Sequence, residues 1–310
     1  MHNRKYISTS LLFLAAVIWG FAFAAQDAAS DMGAFALGFW RSIVAGFFLF
    51  GAVLVFDKLT GSGRRLVSKR GIDLNKNELI GGVILGAVLV VASAFQQIGI
   101  NGGTDGGKAA FITALYVVLV PIYALALRKK AALNVWVSIG IAVVGFYLLS
   151  IKEDLTVAPS DILVVISSMI FPIHILTIDH FSPKCDGIRM SMVQFFTAAA
   201  LNLIITLFTE GVGELGALTA NLLSILYLGI GSSGIAYTLQ ILGQKDVPPA
   251  AASIILSLES VFGIIGTALF LGQTLTPREY LGCAVVLAAV ILSQVDLSSL
   301  KNKITKNKNQ

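Results

Sequence analysis

Ionisable side chains that could act on a small molecule are rare in this chain, and the notable ones stand inside apolar stretches. Glu259 lies in SIILSLESVFGII, Arg41 in ALGFWRSIVAG and His174 in SSMIFPIHILTI. A charge in such a setting costs at least ~2.5–3.5 kcal/mol if it meets hydrocarbon, so it must face protein or water. At helical spacings of three and four around Glu259 stand Ala252, Leu256, Gly263 and Gly266. Small residues on that face let another helix approach, so the carboxyl points inward. There it serves as a proton or substrate-coupling site, taking a proton or a substrate ammonium, or it hydrogen-bonds a neighbouring helix. Arg41 either snorkels outward, holds a substrate carboxylate, or forms a structural ion pair with Asp27 or Asp31, and the structural charge is preferred.

No arrangement for covalent or hydrolytic catalysis accompanies these groups. Asp27 and Asp179 invite comparison with an aspartyl pair, but two carboxylates sharing a proton lie ~3 Å apart, and these two end different apolar segments on opposite sides. His174 has no nucleophile or metal partner in view. Cys185 and Cys283 lack the spacing of a metal or redox pair, and His2, His174 and His180 form no ligand cluster. The sequence contains no Gly-x-x-x-x-Gly-Lys-Ser/Thr loop, so nucleotide-driven chemistry is unsupported. No metal, cofactor or catalytic residue is expected.

The elements that must position these side chains are apolar helices. Of 310 residues, 56% are hydrophobic and 13% charged, against about 25% charged in soluble domains. Runs of about 20 apolar residues, the length of a membrane helix, recur along the chain. Ten spans are expected: 8–26, 34–56, 79–100, 108–127, 133–151, 160–180, 188–209, 217–243, 249–272 and 276–295. The basic start and the small residues near Ala22–Ala25 resemble a signal peptide, but the first segment has a counterpart in the second half and is expected to stay.

Lys and Arg divide unevenly between the two sides. Arg4, Lys5, the loop residues Lys58, Arg64, Arg65, Lys69, Arg70 and Lys76, then Arg128, Lys129, Lys130, Lys184, Arg189, Lys245 and the tail lysines share one side. Lys108, Lys152 and Arg278 share the other. The positive-inside rule then puts both termini in the cytoplasm of a multi-pass cell-membrane protein. The net charge of +5 follows from these short clusters and implies no nucleic-acid partner.

The chain also repeats itself. Ala94 falls on Ala236, Phe95 on Tyr237, Ala109 on Ala251 and Gly140 on Gly282, an offset of roughly 142 residues and too long for a stacked solenoid unit. Earlier, Trp19-Gly20 falls on Phe171-Pro172, Asp27 on Asp179 and Arg41 on Gln194, at roughly 152. The uncharged Gln194 favours a packing role for Arg41. Each half then holds five spans, and because five is odd the second half enters from the opposite side. The expected domains are residues 1–155 and 156–296, two inverted five-helix repeats, followed by a basic cytoplasmic tail, 297–310. The fold class is all-α integral membrane.

Polar stripes mark where such a bundle is not facing lipid. Gly229, Ser233, Tyr237 and Gln240 share a face of span eight; Ser93 and Gln97 lie in span three, with Gln96 beside them; Thr113 and Tyr116 share a face of span four. Trp19 lies near mid-depth of span one. Gly20 and Pro172 are Gly/Pro interruptions at equivalent places, a pointer to a transporter's binding site. The expected cavity is walled by Trp19, Phe23, Gln97, Tyr116, His174, Tyr237 and Gln240, with Glu259 beside them.

The chain resembles the EamA-type members of the drug/metabolite transporter superfamily. The residues that carry the resemblance are Trp19-Gly20-Phe21-Ala22-Phe23, Phe39-Trp40-Arg41, the run from Thr113 to Pro121, and Ser257-Leu258-Glu259-Ser260-Val261-Phe262. The resemblance implies a ten-helix bundle around a central cavity that exports small metabolites such as amino acids. Ser260 stands where the family usually has proline, which removes one reason for a kink in span nine, and Gln273 stands where it usually has glutamate.

A secondary transporter is therefore the leading reading, working by alternating access on a small-molecule metabolite as a monomer or weak homodimer in the lipid bilayer. An intramembrane enzyme would need a paired nucleophile and base, and a channel a filter loop or charged ring. Within the transporter class, the lack of an Arg/Lys cluster at mid-depth weighs against a nucleotide-sugar carrier, while a drug carrier stays open.

Overall fold

The computed structural model describes residues 2–61, 65–68, 71–129, 131–150, 158–271 and 276–294. Arg64, Lys69, Arg70, Lys130, Lys152, Gln273, the 155/156 boundary and the tail 297–310 lie outside the described residues.

Helices account for nearly all of it. They are α1 (His2–Ala28), α2 (Ala34–Leu59), α3 (Lys76–Asn101), α4 (Gly106–Thr113), α5 (Tyr116–Ala126), α6 (Leu133–Ser150) and α7 (Pro159–Phe181). Then follow α8 (Gly187–Thr209), α9 (Leu222–Leu226), a π-helical stretch Tyr227–Ala236, α10 (Tyr237–Gly243), α11 (Pro249–Leu256), α12 (Leu258–Leu271) and α13 (Pro277–Gln294). The all-α expectation holds, with one small addition. The loop after α2 carries a two-stranded antiparallel ladder, Val67–Ser68 against Gly71–Ile72, too short to leave a period-two signal.

Among the described residues, eight helical runs are long and apolar enough to cross a membrane. The apolar parts of α6 and α13, Leu133–Leu148 and Tyr280–Ser293, are shorter. At 18 residues each, these two helices rise about 27 Å at 1.5 Å per residue. Large apolar side chains such as Phe47, Phe208 and Leu223 lie on the outside, where lipid rather than water suits them.

Helix pairing is extensive between α6 and α13, α2 and α8, α3 and α7, α3 and α8, and α1 and α12. Glycine permits several of these approaches: a Cβ on Gly99 would meet Val164 Cγ2 at 2.6 Å, and one on Gly145 would meet Val286 Cγ2 at 2.6 Å. Polar clasps hold α2 against α8 at both ends. At one, the buried Arg189 guanidinium donates to Asp57 at 2.7 and 2.9 Å and to the Asp73 carbonyl at 3.2 Å. At the other, the Glu210 carboxylate accepts the backbone N–H groups of Phe35 and Ala36 at 2.9 and 2.8 Å, an anion on a helix N-terminus. Asp179 pairs with Lys129, and Lys108 with Asp161 at 2.6 Å.

The interruptions fall elsewhere than at Gly20 and Pro172. Both α1 and α7 run unbroken through those residues. Gly20 serves close packing instead: a Cβ there would collide with Phe262 Cβ and the Gly263 backbone. The breaks lie at Ala114-Leu115, between α4 and α5, and at Ser257, between α11 and α12, equivalent places under the ~142-residue offset. At the first, the backbone tightens to three-residue bonds, Val117 N–H to Ala114 and Val118 N–H to Leu115, as in a 3₁₀ turn. At the second, the hydroxyls of Ser253, Ser257 and Ser260 each donate to the carbonyl three residues back. Such back-bonding competes with the helix ladder and bends it. The break in span nine thus coincides with these serine back-bonds.

Candidate functional site

The two broken spans deliver the first functional side chains. Tyr116 opens α5 directly after the first break, and Glu259 lies in the first turn of α12, just past Ser257. A carboxyl there sits at a helix N-terminus, where partial positive charge favours it. Tyr116 and Glu259 face one another, without the geometry of a formed hydrogen bond.

A cavity lies between them and the unbroken helices. Its walls include Trp19, Phe23 and Gln26 of α1, Arg41 of α2, Ser93 and Gln96 of α3, Thr113 of α4 and Tyr116 of α5. Phe171 and His174 of α7, Ser232 of the π-helical stretch, Tyr237 and Gln240 of α10, Leu256 of α11 and Glu259 also line it. Both halves of the chain contribute. The open space is about 50 Å³, well below the ~300 Å³ where ligand pockets begin but enough for water. A metabolite needs these walls to move apart.

Tyr237 is the centre of the aromatic wall. Its ring lies 4.6 Å from Trp19, 5.5 Å from His174 and 5.6 Å from Phe195, all tilted edge to face, the arrangement ring quadrupoles prefer. Trp19 Nε1 donates to the Ser232 carbonyl at 3.2 Å. Within Tyr227–Ala236 the backbone bonds run to the fifth residue, a pattern frequent at functional sites.

Four buried polar atoms of the wall have no hydrogen-bond partner among the described residues: Tyr116 Oη, His174 Nε2, Gln240 Oε1 and Glu259 Oε1. Tyr116 lies against Glu259 and His174 against Gln194, so this wall of the cavity is polar. The Gln194 amide, beside His174, is unpartnered at both ends as well.

Of the residues expected at the cavity, Trp19, Phe23, Tyr116, His174, Tyr237, Gln240 and Glu259 come together there. Gln97 does not. Its amide donates to the Gln26 carbonyl at 3.2 Å and to Asn101 Oδ1 at 2.8 Å. Gln96, about 100° round the helix, takes the cavity position and donates to Thr113 Oγ1 at 2.8 Å. Arg41 makes no ion pair with Asp27 or Asp31. It lines the cavity, bonded to Ser233, Ser232 and Gln26, while Asp27 accepts the Gly106 N–H at 3.3 Å.

Gln26, Phe171 and Ser232 were not anticipated as walls. Gln26 had a signal: with Trp19 and Phe23 it completes a seven-residue helical stripe. Ser232 had none at the α-helical period, because the wider π turn brings it onto the face of Tyr237. Gly229, expected on that face, packs against Val44 and Arg41 instead. Among the described residues no group of three His, Cys, Asp or Glu could hold a metal ion.

Comparison with known proteins adds three findings. The sequence profile of the EamA-like transporter family matches residues 7–151 and again 158–294. A protein of Archaeoglobus fulgidus described as an uncharacterized transporter is 29% identical over 292 residues, 94% of this chain and 86% of the relative. A crystal structure of another protein superposes with a TM-score of 0.74 at 14% identity, over 93% of this chain and 96% of that one; at that identity the likeness is of fold.

Proposed function

The chain belongs to the EamA-like transporter family, and from that premise we propose that it is a secondary transporter, exporting small metabolites such as amino acids by alternating access around the cavity. The observation that carries the reading is the cavity itself: a narrow space at the junction of both halves, walled by aromatic rings and by the polar groups of Tyr116, His174, Gln240 and Glu259. Trp19, Phe23, Tyr116, His174, Tyr237 and Gln240 hold the solute. Glu259 couples its movement to a proton or to the solute's own charge.

In this reading the chain crosses the membrane ten times, α6 and α13 included, as two inverted five-span repeats, 1–155 and 156–296. Three observations support it: the doubled family match, the equivalent breaks, and a packing scheme that survives exchange of the halves. The contact of α1 with α12 corresponds to that of α7 with α5, and the contact of α2 with the π-helical stretch to that of α3 with α8. The cytoplasmic placement of both ends rests on the Lys/Arg asymmetry, and export on the family resemblance. A single arginine beside a glutamate suits a small amphipathic solute better than a nucleotide sugar.

Uptake of labelled solutes into proteoliposomes tests the proposal. Saturable flux is expected for at least one small metabolite, with Trp19→Ala and Tyr237→Ala each raising KM about tenfold, as loss of an aromatic contact does. Unchanged KM in both folded variants would remove the cavity from the transport path.

A further inference from the structure

We infer that Arg41 is the seat for a carboxylate on the transported solute. The inference rests on the carrier reading above and deepens it by naming the chemistry the cavity selects. Arg41 stands in the interior of α2, where a cation needs a counter-charge or water. Its donors are Nε to Ser233 Oγ at 3.1 Å, Nη2 to Ser232 Oγ at 3.2 Å and Nη1 to Gln26 Oε1 at 3.5 Å. All three acceptors are neutral. They aim the guanidinium without cancelling its charge, and the last bond is at the limit of a useful distance.

None of the nearby acids bonds to Arg41. Asp27 holds the Gly106 N–H, Asp31 lines a separate cleft with Glu210 and Glu214, and Glu259 faces Tyr116. A guanidinium has five N–H donors, and three bonds leave two for a ligand. A planar fork with two free donors takes a carboxylate in the bidentate manner that a lysine cannot reproduce.

The surroundings shape the rest of the solute. Tyr237 lies within electrostatic reach of both Arg41 and Glu259, and its ring and that of Trp19 form the wall beside them. A carboxylate on Arg41 thus leaves an apolar or aromatic body on the rings, and any amino group can reach toward Glu259 or Gln240. The class is small monocarboxylates, amino acids included. Simple amines lack the anion, and phosphates carry more charge than one arginine balances.

Matched pairs test this: phenylalanine and phenylalaninamide, leucine and leucinamide, 3-phenylpropionate and its amide. Saturable uptake into proteoliposomes and thermal stabilisation of the detergent-purified full chain are measured for each. The acids are expected to show a KM at least about tenfold lower than their amides, which lack one charge-assisted pair. Arg41→Gln should bring the acids down to the amides, and Arg41→Lys should fall between. Amides handled as well as acids by the wild type would overturn the seat, whether or not the variants fold. So would a folded Arg41→Gln protein that still prefers acids. Saturable uptake of amides alone sinks the seat and leaves the carrier standing, whereas no saturable uptake of any member sinks the carrier reading and the seat with it.

Discussion

Glu259 and Arg41 meet the same cavity from opposite halves of the chain, yet their settings differ. Arg41 is held by three neutral acceptors; Glu259 is buried with an unpartnered oxygen at the start of a short helix. A carboxyl free to gain and lose a proton or an ammonium suits coupling. Glu259→Gln should therefore abolish gradient-driven accumulation while sparing solute-for-solute exchange. Glutamine fills the same space and hydrogen-bonds on both sides, so a packing role would leave both activities intact. The pH dependence of uptake decides: identical profiles in variant and wild type, at equal membrane expression, would rule out coupling through Glu259. Sequence alone located this residue because a charge in apolar surroundings is conspicuous. It could not separate Gln96 from Gln97, since adjacent residues on a helix differ by about 100° and no capping signal fixes the phase. Nor could it free Arg41 from Asp27 and Asp31, which lie near it in sequence but not across the bundle.

Elements explain how these residues reach one depth. The long helices were legible as apolar runs because a bilayer imposes their length. Their breaks were not, because the breaks have no Gly/Pro signature: Ala114 and Leu115 are ordinary helix residues, and Ser257 acts through hydroxyl back-bonds. The π-helical stretch was equally hidden, and it shifted the polar stripe of span eight by one residue. Gly20 looked like a break and is a contact. Its role makes an element-scale prediction. Gly20→Val would drive a side chain into Phe262 and the Gly263 backbone and force α1 from α12, an overpacking cost of about 1–3 kcal/mol. The melting temperature in detergent should fall, and flux with it. An unchanged melting temperature would mean that the two helices do not meet as described.

Over the whole molecule, the clasps on α2 and α8 bind the halves at both ends, while the cavity lies where short helices and aromatic rings meet. The inverted repeat proposed above would have both termini on one side. The positive-inside rule predicts that this side is the cytoplasm, and cysteine labelling checks it. With Cys185 and Cys283 replaced, Asn77→Cys should resist an impermeant thiol reagent in intact cells, and Gly213→Cys should react. The reverse pattern would overturn the orientation.

The central claim is that solute passes by alternating access through one central cavity. Counterflow measures this most directly. Proteoliposomes preloaded with unlabelled solute, the best acid from the matched pairs, should take up the labelled form several-fold faster than empty ones. They should show a transient overshoot, because a loaded cavity returns faster than an empty one, and Tyr237→Ala should weaken the effect. A channel would give flux proportional to concentration with no stimulation from the opposite side, and that result would contradict the account.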